Sequence, residues 1–502
     1  MNTEFRDNSR QLRRTKIIAT LGPATDDRRV LEGVMRAGAD VFRLNMSHGT
    51  TEDQVRRAQM VREVSASLKR EVAIMADLQG PKIRVERFEN GGVNLAPGDS
   101  FVLDTVNADK PGNEKWVGVS YAGLANDVKS GNLLLLDDGM ISMRVRSVDG
   151  GKIHCRVENG GKLTDRKGLN LQGGGLSISG IAEHDLEHIK LAAQMGADYL
   201  AVSFASDAAD MKRARKLLRE AGSNASVMAK IERIEALDNL EEICDASDAV
   251  LVARGDLGVE IGDEELPGLQ KRIIKTALKH NRIAATATQM MQSMIENPIP
   301  TRAEVLDVAN AVIDGTDAVM LSAETAIGKH PVKVIEAMNR ICLGAERHSD
   351  REGDMSKLVV RFNRIDQAIA MAAMFMATHV PIKAIIALTE SGSTAQWLSR
   401  VQSSVPIYAL SPNEASRRRM ALFRNVSTAH HEPKGDDIEA NIGDALQVLS
   451  RIGAIAEGDR VILTMGHKMN NEGGTNTLRL LRIDDKGGVD VRTELDSGKG
   501  RR

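Results

Sequence analysis

From residue 15 onward, short runs of β-branched and apolar residues alternate with longer stretches whose apolar positions recur every three or four residues. The runs TKIIATL, DVFRLN and VAIMAD read as strands, and DDRRVLEGVMRAG and TEDQVRRAQMVREVSASLKR between them read as helices. This βα rhythm stops near Pro81. The next ninety or so residues are dense in Gly and Asp, with the short runs VNLAPGDSFVL, VKSGNLLLLDDG and ISMRVRSVDGGKIHCRVENGG, a pattern that predicts antiparallel strands and tight turns. The rhythm resumes at ISGIAEHDLEHIKLAAQMGADYLAVSF and continues through VMAKIE, AVLVAR, IAATAT and AVMLSA. Three strands precede the interruption and five come after it. Eight alternating units that close on themselves predict a (β/α)8 TIM barrel interrupted after its third strand, since an open doubly wound sheet rarely needs eight.

A charged stretch, ERHSDREGDMSKLVVRFNR, then separates a further α/β segment with strands at KAIIALTES, VPIYAL, DRVILTMGH and TNTLRLLRI. The predicted organisation is a tail over 1–14, a barrel over 15–81 and 178–350, an inserted β-barrel domain over 82–177, a C-terminal α/β domain over 351–483 and a Gly- and charge-rich tail over 484–502.

Composition narrows the function classes. The 502 residues suffice for three to four domains at about 150 residues each. Lys and Arg number 67 against 69 Asp and Glu, so no overall field favours nucleic acid, and 3% aromatic residues offer few platforms for stacking bases. Small molecules are the default partners. Cys155, Cys244 and Cys342 are widely spaced and form no CxxC pair, which argues against a disulfide framework or structural zinc and fits a reducing cytoplasm. The start MNTEFRDNSRQLRRTK has no apolar signal region, and no stretch approaches the length of a membrane span.

In a barrel of this kind the reactive groups project from the carboxyl ends of the strands. Strand two ends in Arg43, Asn45, Ser47 and His48; strand three in Asp77; strand five in Lys230 and Glu232; strand six in Arg254 and Asp256; strand seven in Thr286 and Thr288; strand eight in Ser322 and Glu324. One charge at a strand end is ordinarily a solvated loop residue, but six strands ending this way form a set. Lys230 and Glu232 are two apart in an extended segment and share a face. Glu232 and Asp256 supply the one or two carboxylates that Mg²⁺ takes from protein, leaving positions for water and a phosphate-bearing substrate. Lys230 would then stabilise a developing oxyanion or a phosphoryl group in flight, with Arg43 and Arg84 adding charge-assisted contacts to phosphate. The segment ARGDLGVEIG offers amides at the start of a short helix that can hold a carboxylate.

The motifs KIIATLGPAT, FRLNMSHG, MAKIER, LVARGDLGVEI, ATATQMMQSM and PTRAEVLDVANAVIDGTDAVMLSAETAIG resemble those of pyruvate kinases, over roughly residues 14–483. The resemblance implies Mg²⁺- or Mn²⁺-dependent transfer of a phosphoryl group from phosphoenolpyruvate to ADP, giving pyruvate and ATP in glycolysis. It also implies that the insertion is a mobile lid and that the enzyme is a cytoplasmic homotetramer. By the same resemblance Arg43, Lys230, Gly255, Asp256 and Thr288 contact substrate, with Arg43, Lys230 and Thr288 catalytic. Asn45, Met46, Ser47, His48, Arg84 and Lys167 approach the nucleotide phosphates, and Glu232 and Asp256 are the Mg²⁺ ligands. Ser322 and Glu324 resemble supporting groups near the face where the enolate carbon is protonated, with the proton donor left open. Many members hold K⁺ through positions matching Asn45, Ser47, Asp77 and the backbone of Leu78, and carry a Glu where this chain has Lys82 in DLQGPKIR. An ammonium there can place a comparable charge, which predicts K⁺ independence. In TESGSTAQWLSR the residues Ser391, Gly392, Ser393 and Thr394 lie between a strand and a helix, matching a loop that receives a phosphorylated activator in the family, and Glu390 favours one phosphate over two.

Other signals read as structure. His184 and His188 are four apart, but acidic neighbours and the lack of a third ligand indicate a solvated helix start. The glycines 173–175 lack a Rossmann context, and no GxxxxGK[ST] is present. The methionines of ATATQMMQSM are packing, and Arg417 to Arg419 a solvated helix face. Two rival classes remain open on the sequence: a Mg²⁺-dependent enolate lyase, which needs neither lid nor Lys167, and a silent scaffold, which needs no such combination of Lys230, Glu232, Asp256 and Thr288.

Overall fold

The computed structural model describes residues 12–348, 362–401, 403–435, 437–466, 474–484 and 488–490. Most of the two predicted tails, and residues 349–361 of the charged stretch, lie outside them. Compactness divides the chain into two units, one of 17–64 and 74–337 and one of 1–16, 65–73 and 338–502.

The first unit carries the barrel. Eight strands close in the order Lys16–Thr20, Ala318–Leu321, Ile283–Ala287, Ala249–Ala253, Ser226–Ile231, Tyr199–Val202, Ala73–Asp77 and Val41–Asn45. Nearly every strand residue is buried, as parallel strands flanked on both faces require. The surrounding helices start where side chains relieve unpaired amides. Asp27 accepts from the amides of Arg29 and Val30, Asp207 from those of Ala209 and Asp210, and Thr301 and Glu304 cap each other reciprocally.

The interruption after the third strand is sheet, as the Gly- and Asp-rich pattern predicts. Six strands pair in the order Leu169–Leu171, Leu133–Leu136, Ile141–Asp149, Lys152–Asn159, Ser100–Asp104 and Trp116–Gly118, beside a ribbon of Gly92–Leu95 with Gly161–Thr164. These form two sheets, and the closed cylinder among the described residues is the eight-stranded one. Alternate residues of Lys152–Asn159 are buried, and Phe101, Leu103, Leu134, Met143, Ile153 and Val157 pack into one core.

The second unit holds a sheet ordered Val426–His430, Ile407–Ser411, Ala384–Leu388, Arg460–Gly466, Thr475–Ile483 and Val489–Asp490. Its first four strands run parallel and the last two antiparallel. Arg417, expected on a solvated face, is instead buried, pairing with Glu71 at 2.8 Å and donating to the carbonyls of Ser411 and Pro412.

Where the insertion returns to the barrel, the chain is pinned. Arg233 donates to the carbonyls of Leu176 and Ile178, and Gly175 donates its amide to Glu235. Glu260, 3% exposed on the helix Arg254–Ile261, accepts from the amide of Ile234 at 3.1 Å, while its own carbonyl accepts from Gly173. Burial pushes the Glu260 carboxyl up from its ordinary 4.5 to about 7; the Ile234 amide opposes this, Glu235 adds to it, and Arg233 and Asn170 oppose it. A carboxyl raised on folding contributes stability that is complete below about pH 4.5 and lost as pH rises through about 7. Thermal unfolding of the parent and of Glu260→Gln, followed between about pH 5 and pH 8, checks this. The parent should lose up to about 3 kcal/mol across the window that the variant retains. Identical pH profiles would show that Glu260 ionises normally.

Candidate functional site

The strand ends meet at one rim of the barrel. Alternation along Val41–Asn45 sends Arg43 and Asn45 to the same side, and the same periodicity pairs Lys230 with Glu232. The strands bearing Arg43, Asp77 and Lys230, together with Tyr199–Val202, which ends at Ser203, are consecutive neighbours in the barrel. Backbone bonds hold them in step: the Met46 amide donates to the Asp77 carbonyl and the Leu78 amide to the Ala201 carbonyl.

Charge is arranged around Asp77, which is 1% exposed. Arg43 Nε donates to Asp77 Oδ2 at 2.6 Å and Arg43 Nη1 to Thr20 Oγ1 at 3.1 Å. Among the described residues Arg43 Nη2 has no hydrogen-bond acceptor, which leaves it free to meet an anion. Lys230 Nζ lies 3.3 Å from Asp77 Oδ1, 2.8 Å from Glu232 Oε1 and 2.7 Å from Ser203 Oγ. Burial favours the neutral amine, but Asp77 and Glu232 outweigh it and raise the Lys230 pKa, so the ammonium persists. Burial likewise favours protonation of Asp77, and Lys230 and Arg43 overcome it, holding that carboxyl below its usual range. Glu232 behaves differently. Burial raises its pKa, Lys230 opposes the rise, and the negative charge of Asp256 reinforces it. Its Oε2 accepts from the Phe204 amide at 2.8 Å.

Across the opening, Thr288 is a β-branched residue at φ 67°, a strained conformation of the kind found at ligand clamps. Its Oγ1 accepts from the Gly255 amide at 2.8 Å and donates to the Ala287 carbonyl. The second amide of the helix Arg254–Ile261, that of Gly255, is thus occupied by Thr288. Arg254 is drawn away from the opening, bonding Asp307 and the carbonyls of Ala287 and Thr288. Asp256 receives Lys82 Nζ on Oδ1 at 2.7 Å. Lys82, expected near the positions Asn45, Ser47, Asp77 and Leu78, is therefore bound to the carboxylate on the sixth strand's helix.

The residues expected toward a nucleotide fall into two groups. His48 lies close enough to Arg43 and Arg84 for both to lower its pKa, after burial, which lowers it most. Asn45 pairs with His48 and accepts from the Ser47 amide, while the Met46 side chain is buried, so only its backbone is available. On the insertion, Arg84 Nη1 donates to the Arg166 carbonyl and Lys167 Nζ pairs with Asp137 at 2.7 Å. Thr286 does not join the site, being fully buried with its hydroxyl on Thr316, so its place is in the wall. Glu324 is buried and accepts from the amides of Ser322 and Met291, which fixes that turn. Ser203 was missed by the reading of strand ends, although the run YLAV ends in it just as the others end in charges. Its hydroxyl accepts from Lys230 and donates to the Leu78 carbonyl.

In the second unit, Gly392 has φ 88° and a Cβ there would lie 2.9 Å from Met420, so glycine is required where the helix Ser393–Ser399 begins. Ser391 and Ser393 are half-buried, whereas Thr394 is buried with its hydroxyl on Thr475.

Residues 12–335 match the family model for the pyruvate kinase barrel domain, and 367–481 that for the pyruvate kinase alpha/beta domain. The chain is 50% identical over 480 residues to pyruvate kinase II of Salmonella typhimurium, covering 95% of this chain and 100% of that one. It is 46% identical over 480 residues to pyruvate kinase of Haemophilus influenzae, covering 95% and 100%. Pyruvate kinase of Staphylococcus aureus is 37% identical over 480 residues, 95% of this chain and 81% of that one. Among the described residues no helix is long and apolar enough to cross a membrane. With both family models matched in order along a closed eight-stranded barrel and a following α/β sheet, the chain is an enzyme of the pyruvate kinase family.

Proposed function

We propose that this chain transfers a phosphoryl group from phosphoenolpyruvate to ADP with a divalent cation, Mg²⁺ or Mn²⁺, held by Glu232 and Asp256. The observation that carries the reading is Lys230 Nζ 2.8 Å from Glu232 Oε1, at a rim where Arg43 Nη2 has no acceptor among the described residues. The donor set fits a divalent ion: two carboxylates near enough to repel, one buried and one partly open. Bound there, the ion would neutralise charge on the phosphoryl and enolate oxygens. Arg43 binds the substrate anion through Nη2, its plane fixed by Asp77 and Thr20. Lys230 presents positive charge to the phosphoryl group as it leaves the enolate oxygen for the terminal phosphate of ADP. Because Asp77 and Ser203 already hold this ammonium, little reorganisation accompanies the transfer. Thr288 and Gly255 border the carboxylate end of the substrate, and Arg84, Lys167 and His48 lie toward the nucleotide phosphates. The carbon of the enolate then takes a proton to give pyruvate, and the insertion acts as a lid that excludes water. A homotetramer in the cytoplasm, working in glycolysis, is the setting the resemblance favours. The lyase and scaffold alternatives are tested by one assay, pyruvate formation from phosphoenolpyruvate with and without ADP and Mg²⁺; dependence on both supports the kinase reading.

Three measurements refine the proposal. Lys230→Met should retain fold and divalent-cation binding while turnover falls by roughly a hundredfold or more, and near-normal turnover would remove Lys230 from its role. K⁺ independence rests on Lys82 supplying a positive charge of the protein's own near the carboxylates, although that charge sits on Asp256 rather than among the positions that match K⁺ ligands. At constant ionic strength, added K⁺ should then raise the rate by less than about tenfold, and a larger activation refutes the idea. For regulation, a nucleoside monophosphate or sugar monophosphate at Ser391–Ser393 should lower the KM for phosphoenolpyruvate, with Thr394 supporting the loop from within. Ser393→Asp should abolish that activation; activation that survives the substitution places the effector elsewhere.

A further inference from the structure

Lys82 sits where the chain leaves the barrel for the insertion, and it faces carboxylates from both. Its Nζ is 2.7 Å from Asp256 Oδ1 on the barrel and 4.0 Å from Asp138 Oδ1 on the insertion. Burial favours the neutral amine, but Asp256, Asp138 and Glu232 together overcome it and keep the ammonium charged. The stem is fitted into the returning strand. A Cβ at Gly168 would lie 3.0 Å from Lys82 Cε and 3.7 Å from Nζ, so any larger residue there would crowd the side chain. The Asp138 end is a hairpin tip under strain. Asp137 and Asp138, successive non-glycine residues, both have positive φ, 52° and 53°. Asp137 is tied down by Lys167 and by its amide on the Gly168 carbonyl. Asp138, 78% exposed at its side chain, is left facing Lys82.

Charges balance around this arrangement. Arg43, Lys230 and Lys82 offset Asp77, Glu232 and Asp256. Take Lys82 away, and Glu232 keeps Lys230 while Asp256 has no ion pair left among the described residues. A divalent ion approaching Asp256 meets an ammonium already in contact with that carboxylate, and two cations within the span of one carboxylate repel.

We infer that Lys82 is a placeholder cation: it occupies Asp256 until a divalent cation arrives, is displaced by it, and passes to Asp138 on the insertion, so that filling the metal site is felt by the lid. This rests on the reading that Glu232 and Asp256 hold the divalent ion. Lys82 is then a positioning residue, setting how tightly the free enzyme takes its ion and where the lid hairpin is anchored afterwards.

The test is a Mn²⁺ titration of the full-length enzyme without substrate, with free Mn²⁺ read by electron paramagnetic resonance at constant ionic strength. Lys82→Met removes the competitor and should tighten Mn²⁺ binding roughly tenfold, the effect of removing one charge beside a carboxylate. Lys82→Gln should tighten it too, and covers the case in which the Met variant folds poorly by thermal melt. Asp138→Asn removes the second anchor and should loosen binding about two- to threefold in the parent, but not in the Lys82→Met background. Equal or weaker Mn²⁺ binding by both Lys82 variants overturns the placeholder role. An Asp138 effect that persists without Lys82 overturns the transfer to the lid. The metal assignment is tested separately by Glu232→Gln and Asp256→Asn: if both bind Mn²⁺ like the parent, that reading fails, whatever Lys82 does.

Discussion

Asp77 is a nearly inaccessible carboxylate held between two buried cations, and the barrel rim is organised around satisfying it. A buried charge is tolerated only when paired and hydrogen-bonded, and breaking such a pair by removing one partner costs several kcal/mol, about 3–5. Arg43 and Lys230 come from strands on either side, so both must stand in register with Asp77 for the charge to be met. The bonds from the Met46 amide to Asp77 and from the Leu78 amide to Ala201 supply that register. Lys230 is held by three oxygens, matching the three donors of an ammonium, and one of them, Ser203, passes the constraint on to the Leu78 carbonyl.

The same constraint shapes chemistry. Cations fixed by buried carboxylates need not reorient when negative charge develops nearby, which is the condition for electrostatic catalysis. Glu232 differs from Asp77 because its burial is reinforced by the repulsion of Asp256, so its carboxyl is raised where that of Asp77 is lowered. Two neighbouring carboxylates with opposite shifts sit in different balances of charge: Asp77 lies between two cations of the protein, whereas Glu232 meets one and faces the negative charge of Asp256.

Much of this was legible in the sequence because the barrel converts a one-dimensional signal, the polar residue ending an apolar run, into a shared location. Arg43, Asp77, Lys230, Glu232 and Asp256 were all found that way. The rule fails where polarity and direction part company. Thr286 ends an apolar run but turns its hydroxyl onto Thr316 inside the wall, and Arg254 leaves the opening for Asp307. Ser203 was passed over because a neutral hydroxyl after YLAV carries no sign of being the third acceptor of a lysine. The strand Val426–His430 was also missed, since VSTAH has only one fully buried position and no apolar run to announce it. Arg417 reads as one cation among three on a short helix, and only the fold brings Glu71, distant in sequence, to meet it.

Lys82 shows most clearly what sequence leaves open. Its charge and its place near the third strand were apparent, but not which carboxylate it would face, because that depends on how the insertion returns. Gly168 brings the returning strand against the lysine stem, and the pinned segment near Arg233 and Glu260 fixes where that strand comes back. The carboxylates that face Lys82 are Asp256, Glu232 and Asp138. Glu232 is already held by Lys230 and the Phe204 amide and Asp138 is largely exposed, so Asp256 is the partly buried carboxylate left for the ammonium. The destination of Lys82 is thus set by the satisfaction of Glu232 beside it.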